Sequence, residues 1–178
     1  LKLIKSLRQV QHKYGVLSAS GANNDSLIDI QQILQDAHVV NSEDALLNGV
    51  TIQLPLFNTT SQLRFYGNRL RLMQILSGIM HETINVLPSN STIMLQIEIV
   101  PIQDNLHQIH FIFNDNGFYN QLENRHAIPS NADIRMHGWD NIKCLIELEL
   151  GELRHVHTAY SGSIISFTIM RKIETFLL

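Results

Sequence analysis

The sequence predicts an α+β fold: a two-layer sandwich with one layer of helices packed against a mixed sheet. Segments with apolar residues at three- and four-residue steps interrupt pairs of segments that alternate apolar and polar, and this order points to that fold. The composition agrees, with hydrophobic residues at 44% of 178 positions and charged ones at only 16%, below the roughly 25% usual for soluble domains. Such a chain has enough apolar surface to build a core.

Leu1 to Ser20 reads as one helix, because Leu3, Leu7, Val10 and Tyr14 share a face with Lys and Arg between them. Ser18 to Ser26 is small and polar, with Gly21 and paired Asn, and reads as a linker. The main domain is expected over residues 27–178, with 1–26 as helix and linker. A helix follows from Leu27 toward Leu47, carrying Ile30, Ile33, Leu34 and Ala37, and Asn48-Gly49 stops it. Thr51 to Leu54 and Gln62 to Tyr66 alternate and read as strands. Asn68 to Leu87 is the strongest helix: Leu72, Ile75, Leu76, Ile79, Met80 and Ile84 form its stripe, Asn68 caps it and Pro88 follows it.

Thr92 to Val100 and Gln108 to Phe113 alternate and form a hairpin through Asp104-Asn105. Asn114 to His137 is rich in Asn, Gly and Pro, and reads as a long functional loop or lid. Gly138 to Leu150 returns to helix, with Trp139, Ile142, Leu145, Ile146 and Leu150 as its buried side and Gly151 at its end. Glu152 to Thr158 and Ser163 to Arg171 are the closing strands.

Several function classes fall away. Thirteen Lys and Arg against sixteen Asp and Glu give −3 with no basic block, which argues against a nucleic-acid binder. The single cysteine, Cys144, excludes an internal disulfide and a thiolate zinc cage, and its apolar helical neighbours predict a buried, inert thiol. No apolar run approaches the ~18 residues of a membrane span, and no secretory signal opens the chain. The leading Leu1 suggests a piece of something longer, with an upstream membrane anchor left open. His155 and His157 lie on one strand face, where packing is the commoner role for two histidines without a third ligand.

Five segments in order resemble the ATP-binding lobe of sensor histidine kinases, the Bergerat fold also used by gyrase-type ATPases. GNRLRLMQIL (Gly67 to Leu76) is similar to the G-D-P-x-R-L-x-Q-V-L motif of that family, and SGIMHETINVLP (Ser77 to Pro88) lies where it has its asparagine box. IHFIFNDNGF (Ile109 to Phe118) resembles the strand leading to the D-x-G-x-G box. WDNIKCLIELELGEL resembles the helix after the second glycine box, and GSIISFTI (Gly162 to Ile169) the closing strand. The likeness covers about Leu27 to Lys172. It implies that residues 1–26 end a dimerisation helix. The phosphoacceptor pattern H-E-[LIF]-[RKN]-x-P is absent, and His12, in QHKY, does not match it. No catalytic residue is therefore assigned.

The resemblance implies a bacterial two-component transferase in the cytoplasm that binds ATP or ADP with Mg²⁺. It would phosphorylate a histidine on a dimerisation hairpin, with a response regulator receiver and a second copy of itself as partners. Asp115 takes the place of the aspartate that accepts the adenine amine, Gly117 that of the first box glycine, and Ser163 that of a nearby hydroxyl. Glu82 falls where the family has its magnesium-binding asparagine, Gly78 where it has an earlier polar residue, and Tyr119 on the second box glycine. Ile134 to Trp139 replaces the second glycine box and keeps only Gly138. Loss of those glycines weakens the backbone cradle for phosphate. The rival expectation is thus a pseudo-ATPase module that docks or regulates a signalling partner. Each residue also has a plainer reading: Asn114 to Gly117 as a turn, Glu82 as a solvated helix residue, Ser163 as a strand start.

Overall fold

The computed structural model describes residues 25–56, 61–117, 137–158 and 162–177. Its elements run β1 (Asp25–Asp29), α1 (Ile30–Asn48), β2 (Thr51–Gln53), β3 (Ser61–Asn68), α2 (Arg69–Val86), β4 (Thr92–Gln103), β5 (Leu106–Asp115), α3 (His137–Leu148), β6 (Leu153–Thr158) and β7 (Gly162–Leu177). Among the described residues the seven strands form one sheet in the order β1-β3-β7-β5-β4-β2, with β6 also paired to β7. Among the described residues only the β2–β4 pair is parallel. The expected α+β sandwich is the observed fold.

The core lies where the stripes predict it. Ile30, Ile33, Leu34 and Ala37 of α1 and all six apolar stripe residues of α2 are buried against Ile109, Phe111 and Phe113 of β5 and Ile165, Phe167 and Ile169 of β7. Phe111 and Phe167 stack across neighbouring strands with centroids 4.7 Å apart. Burying each large side chain contributes about 1.5–3 kcal/mol, so the α2 stripe alone holds this helix to the sheet. Asn68 caps α2 as expected, its side chain accepting from the Arg71 N–H at 2.9 Å. Gly49 ends α1 in the left-handed conformation, at φ 67°.

Three expectations are corrected. The helix expected from Leu27 begins at Ile30, capped by Asp29, because Leu27 and Ile28 pair with Tyr66 and Phe65 on β3. Ile28 enters the core and Leu27 faces outward, a strand alternation too short to stand out from the helical pattern beside it. On α3 the buried seam runs through Ile142, Ile146 and, just past the helix end, Glu149, so Cys144 falls on the outer face and is exposed rather than buried. Leu150 is also exposed, at φ 56° beyond the helix end, while Gly151 donates its N–H to the Ile146 carbonyl at 3.0 Å.

Glu149 anchors the end of α3. It is buried between Arg71, which donates to Oε1 at 2.6 Å, and Arg171, which pairs with Oε2. Two arginines around one carboxylate compensate its desolvation, and removal of one partner from such a buried pair typically costs 3–5 kcal/mol. The opposite end of α3, at Gly138, borders the candidate site. The helix expected over residues 1–20 and most of the expected lid lie outside the described residues.

Candidate functional site

The site begins where β5 and β7 reach one end of the sheet. Register pairs Asn114 with Ile164, and one position further on Asp115 lies beside Ser163. Both turn toward the helix layer, on the face that buries Phe113 and Ile165. Asp115 is 6% exposed and Ser163 1%. The Ser163 hydroxyl donates to Oδ2 of Asp115, and the Gly117 N–H donates to Oδ1 at 3.0 Å. A carboxylate this deep is costly unless donors meet it, and strand pairing plus the turn after β5 supply them. Asn114 and Asp115 are therefore the end of a strand, not the start of the loop expected there.

Backbone approaches this carboxylate closely from two sides. Gly162 sits at φ 90°, and a Cβ there would stand 1.9 Å from the Asp115 carbonyl oxygen, so no larger residue fits. A Cβ on Gly117 would lie 2.5 Å from Cδ2 of Leu87, the residue that caps α2. Leu87 and Gly162 thus wall the Asp115 end, although neither was picked out from the sequence as a site residue. The sequence signal for Gly162 is a glycine directly before the strand-opening Ser163. For Leu87 it is an apolar residue between a helix end and Pro88.

Glu82 lies on α2, five residues before Leu87, and is half-buried. Its carboxylate presses against Gly138 in the first turn of α3: a Cβ on Gly138 would stand 2.1 Å from Oε1 and 2.7 Å from Cδ. Burial pushes the Glu82 carboxyl above its ordinary range, and the neighbouring His81 opposes that rise. His81 is itself buried, with Nδ1 3.1 Å from Oδ2 of Asp44 on α1. Gly78, one turn before Glu82, is packed so closely against Ile142 of α3 that a Cβ would stand 3.0 Å from it. It serves helix packing where a polar group was the family expectation.

The structure thus groups Asp115, Gly117 and Ser163 in one hydrogen-bonded cluster and Glu82 with Gly138 in a second contact. Tyr119 and residues 134–136 lie outside the described residues. His155 is half-buried and in register with Ile165, and His157 is in register with Ser163. Among the described residues no group of three His, Cys, Asp or Glu could hold a metal ion. Mg²⁺ is usually held by one or two carboxylates together with substrate phosphates and water, so the Glu82 carboxylate would meet it only alongside a bound nucleotide.

A sheet with β5 and β7 side by side at its centre, covered on one face by three helices among the described residues, is the fold of the ATP-binding lobe of sensor histidine kinases. No family model and no curated protein matches this chain. Among solved structures it is similar to the Acinetobacter baumannii histidine kinase AdeS, with TM-score 0.61 and 16% identity over 94% of this chain and 75% of that one. The cytoplasmic segment of histidine kinase QseC gives 0.59 and 14%, over 94% and 93%. Full-length ShkA in complex with AMPPNP gives 0.66 and 14%, over 99% of this chain but only 36% of that one. At such identities the likeness establishes the fold. No helix among the described residues is long and apolar enough to cross a membrane.

Proposed function

We propose that this chain is the adenine-nucleotide-binding lobe of a two-component sensor histidine kinase. Asp115 accepts the exocyclic amine of adenine, Ser163 and the Gly117 N–H hold that carboxylate in place, and Leu87 packs close to Gly117. The observation that carries this reading is the buried Asp115 carboxylate, fixed by two donors at the end of the sheet. A carboxylate has about four acceptor positions, so one held by protein donors can still accept from a ligand amine, and a site that makes such a bond discriminates against analogues that lack the donor. The ShkA neighbour, solved with AMPPNP, shares the fold and lends support.

In the whole protein, residues 1–26 would end the dimerisation helix and 27–178 would form the lobe. Its partners would be a dimerisation hairpin carrying the phosphoacceptor histidine, a second copy of the chain, and a response regulator receiver in the bacterial cytoplasm. Titration calorimetry with ADP and ATP, with and without Mg²⁺, tests the nucleotide reading. Affinity in the micromolar range that Asp115→Ala abolishes is the expected result; a wild-type chain that binds no adenine nucleotide at millimolar concentration sinks it.

The contact of Glu82 with Gly138 favours a second reading, a lobe that regulates or docks a signalling partner without turning ATP over. Phosphoryl transfer depends on positioning and on neutralising the phosphate charge. A carboxylate against the first turn of α3 works against both.

A further inference from the structure

The sheet ends unevenly on its β2 side. β4 has 12 residues, but β2 pairs only with Thr92, Ile93 and Met94. From Leu95 onward that edge has no strand beside it among the described residues. The Thr92 carbonyl accepts from the Asn116 N–H on the β5 side, whereas the Ser91 carbonyl accepts from the Thr51 N–H on the β2 side. Backbone groups alternate in direction along a strand, so Leu95, Ile97 and Ile99 point their N–H and C=O groups out of the open edge. Pro101 follows in the same phase with no N–H to offer, and the register is irregular between Pro101 and Gln103. The edge free to pair is therefore residues 95–99. Ile97 and Ile99 are half-buried, packed on the core from the helix side, while Gln96 and Glu98 are exposed on the other face. An uncovered apolar strand edge of this kind is a template for another strand.

We propose that β4 pairs antiparallel with β4 of a second copy of this chain, about a two-fold axis at Ile97, joining the two sheets into one. The segment is self-complementary in that register. Ile97 meets the partner's Ile97 and Leu95 meets the partner's Ile99, each pair exchanging both backbone bonds. Their side chains share the core face, so the half-exposed isoleucines of the two copies cover one another. On the opposite face Gln96 stands across from the partner's Glu98, a neutral amide against a carboxylate. Neighbouring registers are worse. An axis at Glu98 sets two carboxylates against each other, and one at Ile99 brings Pro101, without a donor, opposite the partner's Ile97. An axis at Gln96 calls on Ile93, whose edge β2 already covers. The pairing uses neither residues 1–26 nor the Asp115 cluster, and it stands independently of the nucleotide reading.

The test is amide hydrogen exchange on the whole 178-residue chain from micromolar to millimolar concentration, with sedimentation equilibrium over the same range. Self-association is expected, and with it exchange should slow at the Leu95, Ile97 and Ile99 amides. Gln96 and Glu98, whose N–H groups face β5 throughout, should not change. Two substitutions at the exposed Gln96 then probe the register. Gln96→Lys sets opposite charges across the axis and Gln96→Glu sets like charges there, each twice by symmetry. The concentrations that half-protect the three edge amides should therefore differ by about tenfold or more, with Gln96→Lys the tighter. A chain that stays monomeric at millimolar concentration overturns the proposal, as does an association that leaves these amides exchanging freely. So does protection independent of concentration, because the edge is then covered from within the chain. Equal half-protection for the two variants overturns the pairing at Ile97.

Discussion

The two ends of the candidate site are built on opposite principles. At Asp115, backbone does the holding: strand register places Ser163 beside the carboxylate, the Gly117 N–H donates to it, and Gly162 lies against its carbonyl. At Glu82, a single flexible side chain meets the first turn of a helix, and the nearest neighbour of Gly138 is that side chain rather than backbone. An end defined by main chain is rigid and tolerates little substitution. An end defined by a side chain can be remade by one rotamer change. The comparison teaches that the two ends of the candidate site are held by different means, main chain around Asp115 and one side chain at Glu82.

Substitution at the two glycines probes the contrast most sharply. Gly162→Ala combines a left-handed φ with a Cβ inside the Asp115 carbonyl, and is expected to cost about 3 kcal/mol or more. Chemical denaturation should show that loss, and a shift under 1 kcal/mol would show the Asp115 end to be as compliant as the other. Asp115→Ala comes next. It leaves the Ser163 hydroxyl and Gly117 N–H without their acceptor, at about 1–3 kcal/mol in the same measurement. Any adenine ligand should be lost along with that stability.

Gly138→Ala should cost well under the Gly162 change, about 1 kcal/mol or less, because only the tip of Glu82 must swing away. A loss as large as that of Gly162→Ala would mean Glu82 is locked, contrary to the contrast drawn above.

The smallest expected effect is the pH dependence of Glu82. Its folded carboxyl is raised by burial, so the folded state binds the proton more tightly than the unfolded chain, whose carboxyl titrates near 4.5. The stability contributed by this group therefore falls as pH rises from 4.5 through the raised folded value, and returns on acidification. Glu82→Gln should be slightly more stable than wild type at neutral pH, with the gap closing below pH 4.5. Partial exposure keeps the difference small. A gap that widens on acidification would reverse the assigned direction.

The sandwich, its helices, most of its strands and the core stripes of α1 and α2 follow from local periodicity, which this sequence states plainly. Asp115, Gly117 and Ser163 were legible as separate motif fragments, and Asn68 and Gly49 as helix ends. What the pattern did not disclose were relations between distant segments. The strand at Asp25–Asp29 exists because β3 pairs with it, and Cys144 is exposed because Ile142 and Ile146 set the seam of α3 against α2. The Arg71–Glu149–Arg171 group draws on three elements far apart in the chain.

By itself the sequence determined which residues would be apolar on which face, because that information repeats every two or every 3.6 positions and needs no partner to be read. Only the tertiary structure decided that Glu82 would meet Gly138 and that Ser163 would close on Asp115. Those contacts join residues 56 and 48 positions apart in sequence, and chain packing rather than local preference sets their geometry.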